Sequence, residues 1–296
     1  MLDPKRLQLR AVFFQAIRTF FQEQGFLEVD TPIRQPLVIP EQNIIPVPSG
    51  THFLQSSPEL YMKRLLAAGC EQIFQICRCF RYGERGRLHL EEFVMLEWYR
   101  ADADYSDLMR DCEKLFAFLQ AEMKGCHFPV PLHEPWEKIS VEQAFEKYCS
   151  VTPREALQQD RFDVLLVEKI EPYLGRKNPV FLYDYPLELA SLARPKPARP
   201  SLAERFELYI TGIELANGFS ELTDPVIQRR RFEEECRKMD TNVKSRNKIP
   251  ELFLEALGNI DKAAGIAMGL DRLFMLFLDE DQLDSAITFT PEDLDR

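Results

Sequence analysis

The chain has 296 residues, 45% hydrophobic and 29% charged, with 37 lysines and arginines against 48 aspartates and glutamates, a formal net charge of −11. Apolar runs are broken by charged or amide side chains well before the roughly 18 residues a membrane span needs, and the start lacks a signal-peptide apolar core, so a globular, cytoplasmic protein with no membrane contact is expected. The acidic balance argues against a general nucleic-acid coat, which needs clustered Lys and Arg.

Seven scattered cysteines, with Cys77 and Cys79 on one face of an apparent strand, read as reduced thiols. His52, His89, His127 and His133 stand far from any CxxC or HxxxH spacing, which removes zinc sites and most His-centred triads.

Residues 4 to 24 place Leu7, Phe14, Ile17 and Phe21 near helical spacing, with Gly25 as a left-handed stop. An extended segment, FLEVDTPI, follows, then a loop broken by Pro36, Pro40, Pro46 and Pro48. Ser57 reads as an N-cap, Pro58 as the first helical position, and Gly69 as the end of that helix. Residues 72 to 82 and 92 to 100 read as strands joined by a loop, GERGRLHLE, that is long for a hairpin. In the second strand a period of two puts Phe93, Met95, Glu97 and Tyr99 on one face and Val94, Leu96 and Trp98 on the other.

Basic Arg194, Lys196 and Arg199 stand in a short Pro-rich stretch and are candidates to meet an acidic partner. Residues 205 to 219 form a predicted hairpin turning at Thr211 and Gly212. If 210 faces 213, then 207 faces 216, and Glu207 and Glu214 share a face as diagonal neighbours that call for a cation. The run Arg229–Arg231 reads as a solvated helix face. AGIAMG reads as a strand, and Gly269 and Leu270 open an apolar helix with Arg272 in its first turn, where a cation opposes the helix dipole unless an anion is shared. Taken singly, each residue also has a structural reading: ion pair for Arg81, core for Phe93 and Tyr99, surface for His89 and the two glutamates.

Taken together, the blocks resemble a known family. FLEVDTPI with Pro32, FRYGERGRLHLEEFVMLEWY and GIAMGLDRLFML stand in the order and spacing of motifs one, two and three of class II aminoacyl-tRNA synthetases, and SSPELYMKRLL and GIELANGFSELTD resemble the lysyl branch. With SLARP and AERFELYITGIELANGF, the chain is similar to the EpmA (PoxA, GenX) family, truncated relatives of lysyl-tRNA synthetase that lysylate elongation factor P. The resemblance runs from about residue 5 to 292 and is weaker over 126–180. It implies an α+β class II catalytic core, an antiparallel β-sheet flanked by helices. A single catalytic domain over 1–296 is expected, with 126–203 as an insertion, no N-terminal anticodon-binding domain, and a homodimer through motif one. The acceptor implied is elongation factor P rather than tRNA.

Carried over residue by residue, the resemblance assigns Arg81 to the α-phosphate and the amino-acid carboxylate, Phe93 to adenine and Arg272 to the γ-phosphate, with Arg81 and Arg272 as the catalytic pair. Gly83, Glu84, His89, Glu214, Leu215 and Gly269 complete the ATP site, and Glu207 and Glu214 hold Mg2+. Glu59, beside Ser57 and Pro58, takes the backbone-type amine. Glu221 and Tyr99, helped by Glu97, take the distant ammonium, and Asn217 takes the carboxylate. Such an acid-lined pocket selects lysine or a lysine isomer. Ala267 stands where lysyl-tRNA synthetases usually have Gly, and its methyl favours (R)-β-lysine over lysine.

The sequence departs from the family pattern at two places. Arg81 is followed at plus two by Gly83 instead of Glu, with Glu84 next in line as a substitute, and Leu90, Glu91 and Glu92 replace an Asn-Pro-Glu run before Phe93. Two other readings stand beside the first: an activating core acting on tRNA or a small acceptor, or of the asparagine-synthetase kind, and a non-catalytic synthetase paralogue.

Overall fold

The structure, a computed structural model, describes residues 1–239 and 248–294. Helix α1 (Pro4–Glu23) starts where the Asp3 carboxylate accepts from the Arg6 amide with Pro4 in the first turn, and ends before Gly25, whose φ is +82°. Short strands β1 (Leu27–Glu28), β2 (Arg34–Gln35), β3 (Pro48–Ser49) and β4 (His52–Leu54) precede α2 (Glu59–Ala67). Then come β5 (Gln72–Phe80), β6 (Glu92–Ala101) and α3 (Tyr105–Glu122). A helical insertion holds β7 (Glu137–Ser140), α4 (Val141–Tyr148), α5 (Pro153–Gln158) and α6 (Phe162–Leu165), and returns through β8 (Val180–Pro186). The chain closes with β9 (Pro195–Lys196), β10 (Arg199–Ile210), β11 (Ile213–Ser220), α7 (Pro225–Lys238), α8 (Glu251–Leu257), β12 (Ala263–Gly269), α9 (Leu270–Phe277) and α10 (Pro291–Leu294).

The main sheet runs β1-β5-β6-β12-β11-β10-β8-β7, with β9 paired to β10. Its interior pairs are antiparallel, as expected, while β1–β5 and β8–β7 at the two edges are parallel. A second sheet of β2, β4 and β3 carries the Pro-broken segment. One face of the main sheet is covered by α1, α3 and α9 through Phe13, Phe21, Trp98, Phe116, Phe206 and Phe274, all fully buried. A buried aromatic side chain removes roughly 150–250 Å² from water, so these rings account for much of the burial free energy. The insertion has its own small core, in which Phe145 stacks on Phe162 over Leu182 and Tyr209. Among the described residues, no helix is long and apolar enough to cross a membrane.

Five local expectations shift. FLEVDTPI pairs as a strand only at Leu27–Glu28, because Pro32 has no N–H for a ladder and the chain leaves the sheet edge. Helix α2 begins one residue late, at Glu59, although Ser57 Oγ still accepts from the Glu59 amide at 3.0 Å. The β10–β11 turn pairs Ile210 with Ile213 as predicted, but a bulge between Leu208 and Tyr209 sets Glu207 opposite Asn217, not residue 216. The basic residues are already engaged within the chain: Arg194 with Glu204, Lys196 with Asp184 and Arg199 with Glu142. Arg231 is not solvated either; its Nη1 donates to the carbonyls of Ala190, Ser191 and Ala193.

Candidate active site

The core-facing residues of the central strands alternate with a second set that faces away from α1 and α9. Cross-strand partners align Gln75, Glu97, Ala267, Asn217 and Glu207 in one row over five strands. The neighbouring row is Ile73, Tyr99, Gly265, Phe219 and Arg205. The predicted face of β6 is thus the floor of the site, and Ala267 lies between Glu97 and Asn217. Gly265 is demanded by packing: a Cβ there would come within 2.5 Å of Glu221 Oε1 and strike the Tyr99 ring.

At one end of these rows the structure gathers Ser57, Glu59, Glu97, Tyr99 and Glu221. Ser57 Oγ and the Tyr99 hydroxyl both donate to Glu97, at 2.5 and 2.8 Å. Lys63, fully buried on α2, stands between Glu59 and Glu221, bonded to Glu59 and 2.6 Å from Glu221 Oε2. The carboxylates assigned to the substrate's amines are therefore already shared with a side chain of the protein. Three carboxylates still face one lysine. Burial, then the Glu59 charge, push Glu97 up to about 8. Glu221 is likewise raised, by burial first and then the charges of Glu59 and Glu97, against the pull of Lys63. Lys63 itself would be lowered by burial, but Glu221 and Glu59 hold it above its ordinary value, so it stays charged. The cluster has more acidic than basic side chains, an arrangement that could take up a ligand ammonium.

At the other end a cavity of about 290 Å³ is lined by Arg81, Glu84, His89, Phe93, Glu214 and Arg272, among others that include Leu215 and Gly269. The Arg81 guanidinium lies 5.1 Å from the Phe93 ring centroid, and its buried Nε has no hydrogen-bond partner among the described residues. An orphaned donor of this kind calls for an acceptor oxygen from a ligand. Gly83 turns the chain at φ +77°, its amide donating to Glu91 Oε1 at 2.6 Å, and Glu84 Oε1 lies 3.9 Å from Arg81 Nη1. The two sequence departures thus act together: the left-handed turn at Gly83 aims Glu84 at Arg81, and Glu91 secures the turn. Leu90 is 3% exposed and packs into the core.

Arg272 reaches back from α9 to the Leu88 carbonyl (3.0 Å), the Glu214 carbonyl (2.8 Å) and His89 Nε2 (2.8 Å). Burial, then the Arg272 charge, lower His89, leaving a neutral ring that can accept from Arg272. Next to Arg272, Asp271 is structural: it accepts from Arg10 at 2.6 Å and from the Val94 amide at 2.7 Å, tying α1 and β6 to α9.

Glu207 and Glu214 lie close enough to interact, yet their surroundings differ. Glu207 pairs with Arg205 at 2.6 Å and accepts from the Tyr185 and Tyr209 hydroxyls, each at 2.6 Å. Burial, then the Glu207 charge, push Glu214 up to about 7, the mark of a carboxylate without a full counter-charge. Among the described residues no three acidic, His or Cys side chains are arranged around a common metal position. Glu214 is the carboxylate that fits a metal ion, whereas Glu207 would have to exchange Arg205 for it.

Sequence reasoning missed Lys63 and Arg205, both within its reach. Lys63 is four residues after Glu59 on a helix, and Arg205 is two before Glu207 on a strand, spacings that put each pair on one face. Tyr185 had no local signal, because β8 is paired to β10 only by the fold.

An antiparallel sheet with one arginine at the end of a central strand and another in the helix after the last strand, both turned into a nucleotide-sized cavity beside an acidic amine pocket, defines an amino-acid-activating core of the class II type. The chain belongs to the family described as tRNA synthetases class II (D, K and N), which matches residues 4–293. It is 37% identical to a protein of Salmonella gallinarum (strain 287/91 / NCTC 13346) named elongation factor P–(R)-beta-lysine ligase, over 95% of this chain and 93% of that protein. The proteins of the same name from Salmonella dublin and Salmonella arizonae match with the same identity and coverage.

Proposed function

We propose that the chain activates (R)-β-lysine with ATP as an aminoacyl adenylate and transfers it to a lysine side chain of elongation factor P. The observation that carries the reading is the buried amine pocket, with three carboxylates to one lysine, whose Glu97 neighbours Ala267 and Asn217 in the sheet, residues that line the nucleotide cavity together with Arg81. A diamino acid laid across these residues would put a cation beside the carboxylates. A diamino acid's ammonium draws Glu97 into its ionised form and gains an ion pair, which an uncharged competitor cannot do, so the competitor binds more weakly. The near-full-length similarity to the named ligases supports the same substrate and acceptor.

In this reading Arg81 holds the substrate carboxylate and the α-phosphate together, so that the carboxylate oxygen attacks phosphorus in line and pyrophosphate leaves. Positioning and neutralisation of charge suffice, and no nucleophilic side chain is needed. Phe93 supports adenine once Arg81 moves from its face to the phosphate. Arg272 anchors the far phosphates, fixed by His89 and the Leu88 carbonyl. Magnesium would neutralise phosphate charge, and Glu214 is the residue that would hold it. Exposed Val12, Leu27 and Ile33, on α1 and the segment after it, support a homodimer through motif one, checked by light scattering. ATP–pyrophosphate exchange with β-lysine, lysine, asparagine and aspartate tests the substrate: β-lysine should give the highest kcat/KM, and exchange with asparagine or aspartate alone would overturn the reading.

A further inference from the structure

Glu41 lies in the loop between β2 and β3, outside every block that carried the functional reading. Its place is held by two backbone tethers: the Gln42 amide donates to Glu235 on α7 at 3.0 Å, and the Tyr82 amide donates to the Ile45 carbonyl at 2.8 Å. Glu41, Ile44 and Asn217 line both the nucleotide cavity and a second, larger cavity of about 740 Å³. Glu41 is half-buried, and among the described residues its carboxylate forms no hydrogen bond or ion pair. The charged groups facing it are Glu59, Arg81, Glu235 and Arg205. Glu59, at the near edge of the amine pocket, is the first of these, and with Arg81 and Arg205 it places Glu41 where that pocket, the nucleotide cavity and the larger cavity meet.

The second half-reaction needs a route and a base. The adenylate's carbonyl carbon is placed by Arg81 and Asn217, the amine pocket is closed by buried side chains, and the nucleotide fills the smaller cavity. The larger cavity, which meets Asn217 and Arg205 and shares Glu41 with the nucleotide cavity, offers an acceptor lysine a way in among the described residues. A lysine arrives as an ammonium, neutral in only about one molecule in a thousand near pH 7.

We propose that Glu41 is a catalytic residue of the transfer step, receiving the acceptor ammonium where the two cavities meet and taking from it the proton that must leave before attack. This rests on the function proposed above. The freed amine lone pair forms the C–N bond to the adenylate carbonyl, the C–O bond to the phosphate breaks, and AMP departs with that electron pair. The amide nitrogen releases its second proton to solvent, and Glu41 returns the first there. Burial, then the Glu59 charge, push Glu41 up to about 7, which brings it nearer to an amine and suits it to this exchange.

The test separates the half-reactions in Glu41→Gln and Glu41→Asp. Single-turnover transfer from preformed adenylate to elongation factor P should fall about 100-fold or more in the Gln variant and less in Asp, at least about tenfold more than pyrophosphate exchange falls in the same variant, and the remaining exchange reports folding. Raising the pH towards 10 should recover transfer by the Gln variant, since solvent then deprotonates the acceptor. Equal losses in both half-reactions, or unchanged transfer, would overturn the proposal. Absence of exchange with every lysine isomer in the wild-type protein would instead overturn the functional reading itself.

Discussion

Glu97→Gln separates the two consequences of burying an acid where a substrate cation belongs. Glu97 is 1% exposed and raised from the ordinary 4.5 to about 8. A carboxylate whose folded value is raised favours the fold below its unfolded value, and that stability is lost as pH rises from about 4.5 to about 8. The window of 3.5 units at 1.36 kcal/mol each is about 5 kcal/mol, the penalty of holding Glu97 ionised in the empty pocket. Gln keeps the shape without the charge, at the loss of about 1 kcal/mol for one poorly replaced hydrogen bond from Ser57 or Tyr99. The ligand-free variant should therefore be more stable than wild type by about 4 kcal/mol at pH 9 and no more stable at pH 5. Its KM for β-lysine should rise roughly 100-fold, for the lost charged hydrogen bond. Urea unfolding at the two pH values and pyrophosphate exchange measure both effects. A stability change equal at pH 5 and pH 9, or an unchanged KM, would refute the reasoning.

Other substitutions probe separate parts of the account. Gly265→Ala should abolish amino-acid-dependent exchange, because its methyl would displace Tyr99 and Glu221, while ATP binding by calorimetry persists. Ala267→Gly should narrow the ratio of kcat/KM for β-lysine over lysine by about tenfold, the worth of one methyl contact. Asp271→Asn leaves Arg10 buried without its partner and should cost about 3–5 kcal/mol in urea unfolding, with α1 losing its tie to α9.

The fold was largely legible because its elements carry local signals: helical spacing and Gly25 marked the first helix and its end, and Thr211 and Gly212, both at positive φ, set the long hairpin. Alternation along β6 was enough to place Glu97 and Tyr99 on the same face of the sheet. What escaped was set by partners distant in sequence. The bulge at Leu208, which moves Glu207 opposite Asn217, leaves no mark in composition, and neither does the capture of Glu207 by Tyr185 from β8. Lys63 shows a different failure. Its carboxylate partners were assigned to the substrate's amines, and the lysine already between them was overlooked, although the spacing of four from Glu59 announced it.

The most direct measurement is the mass of elongation factor P after incubation with the protein, ATP and (R)-β-lysine, with lysine tRNA present as a competing acceptor. The account predicts that elongation factor P gains one β-lysyl residue on a single lysine and that the tRNA stays uncharged. Aminoacylated tRNA beside an unmodified elongation factor P would contradict it.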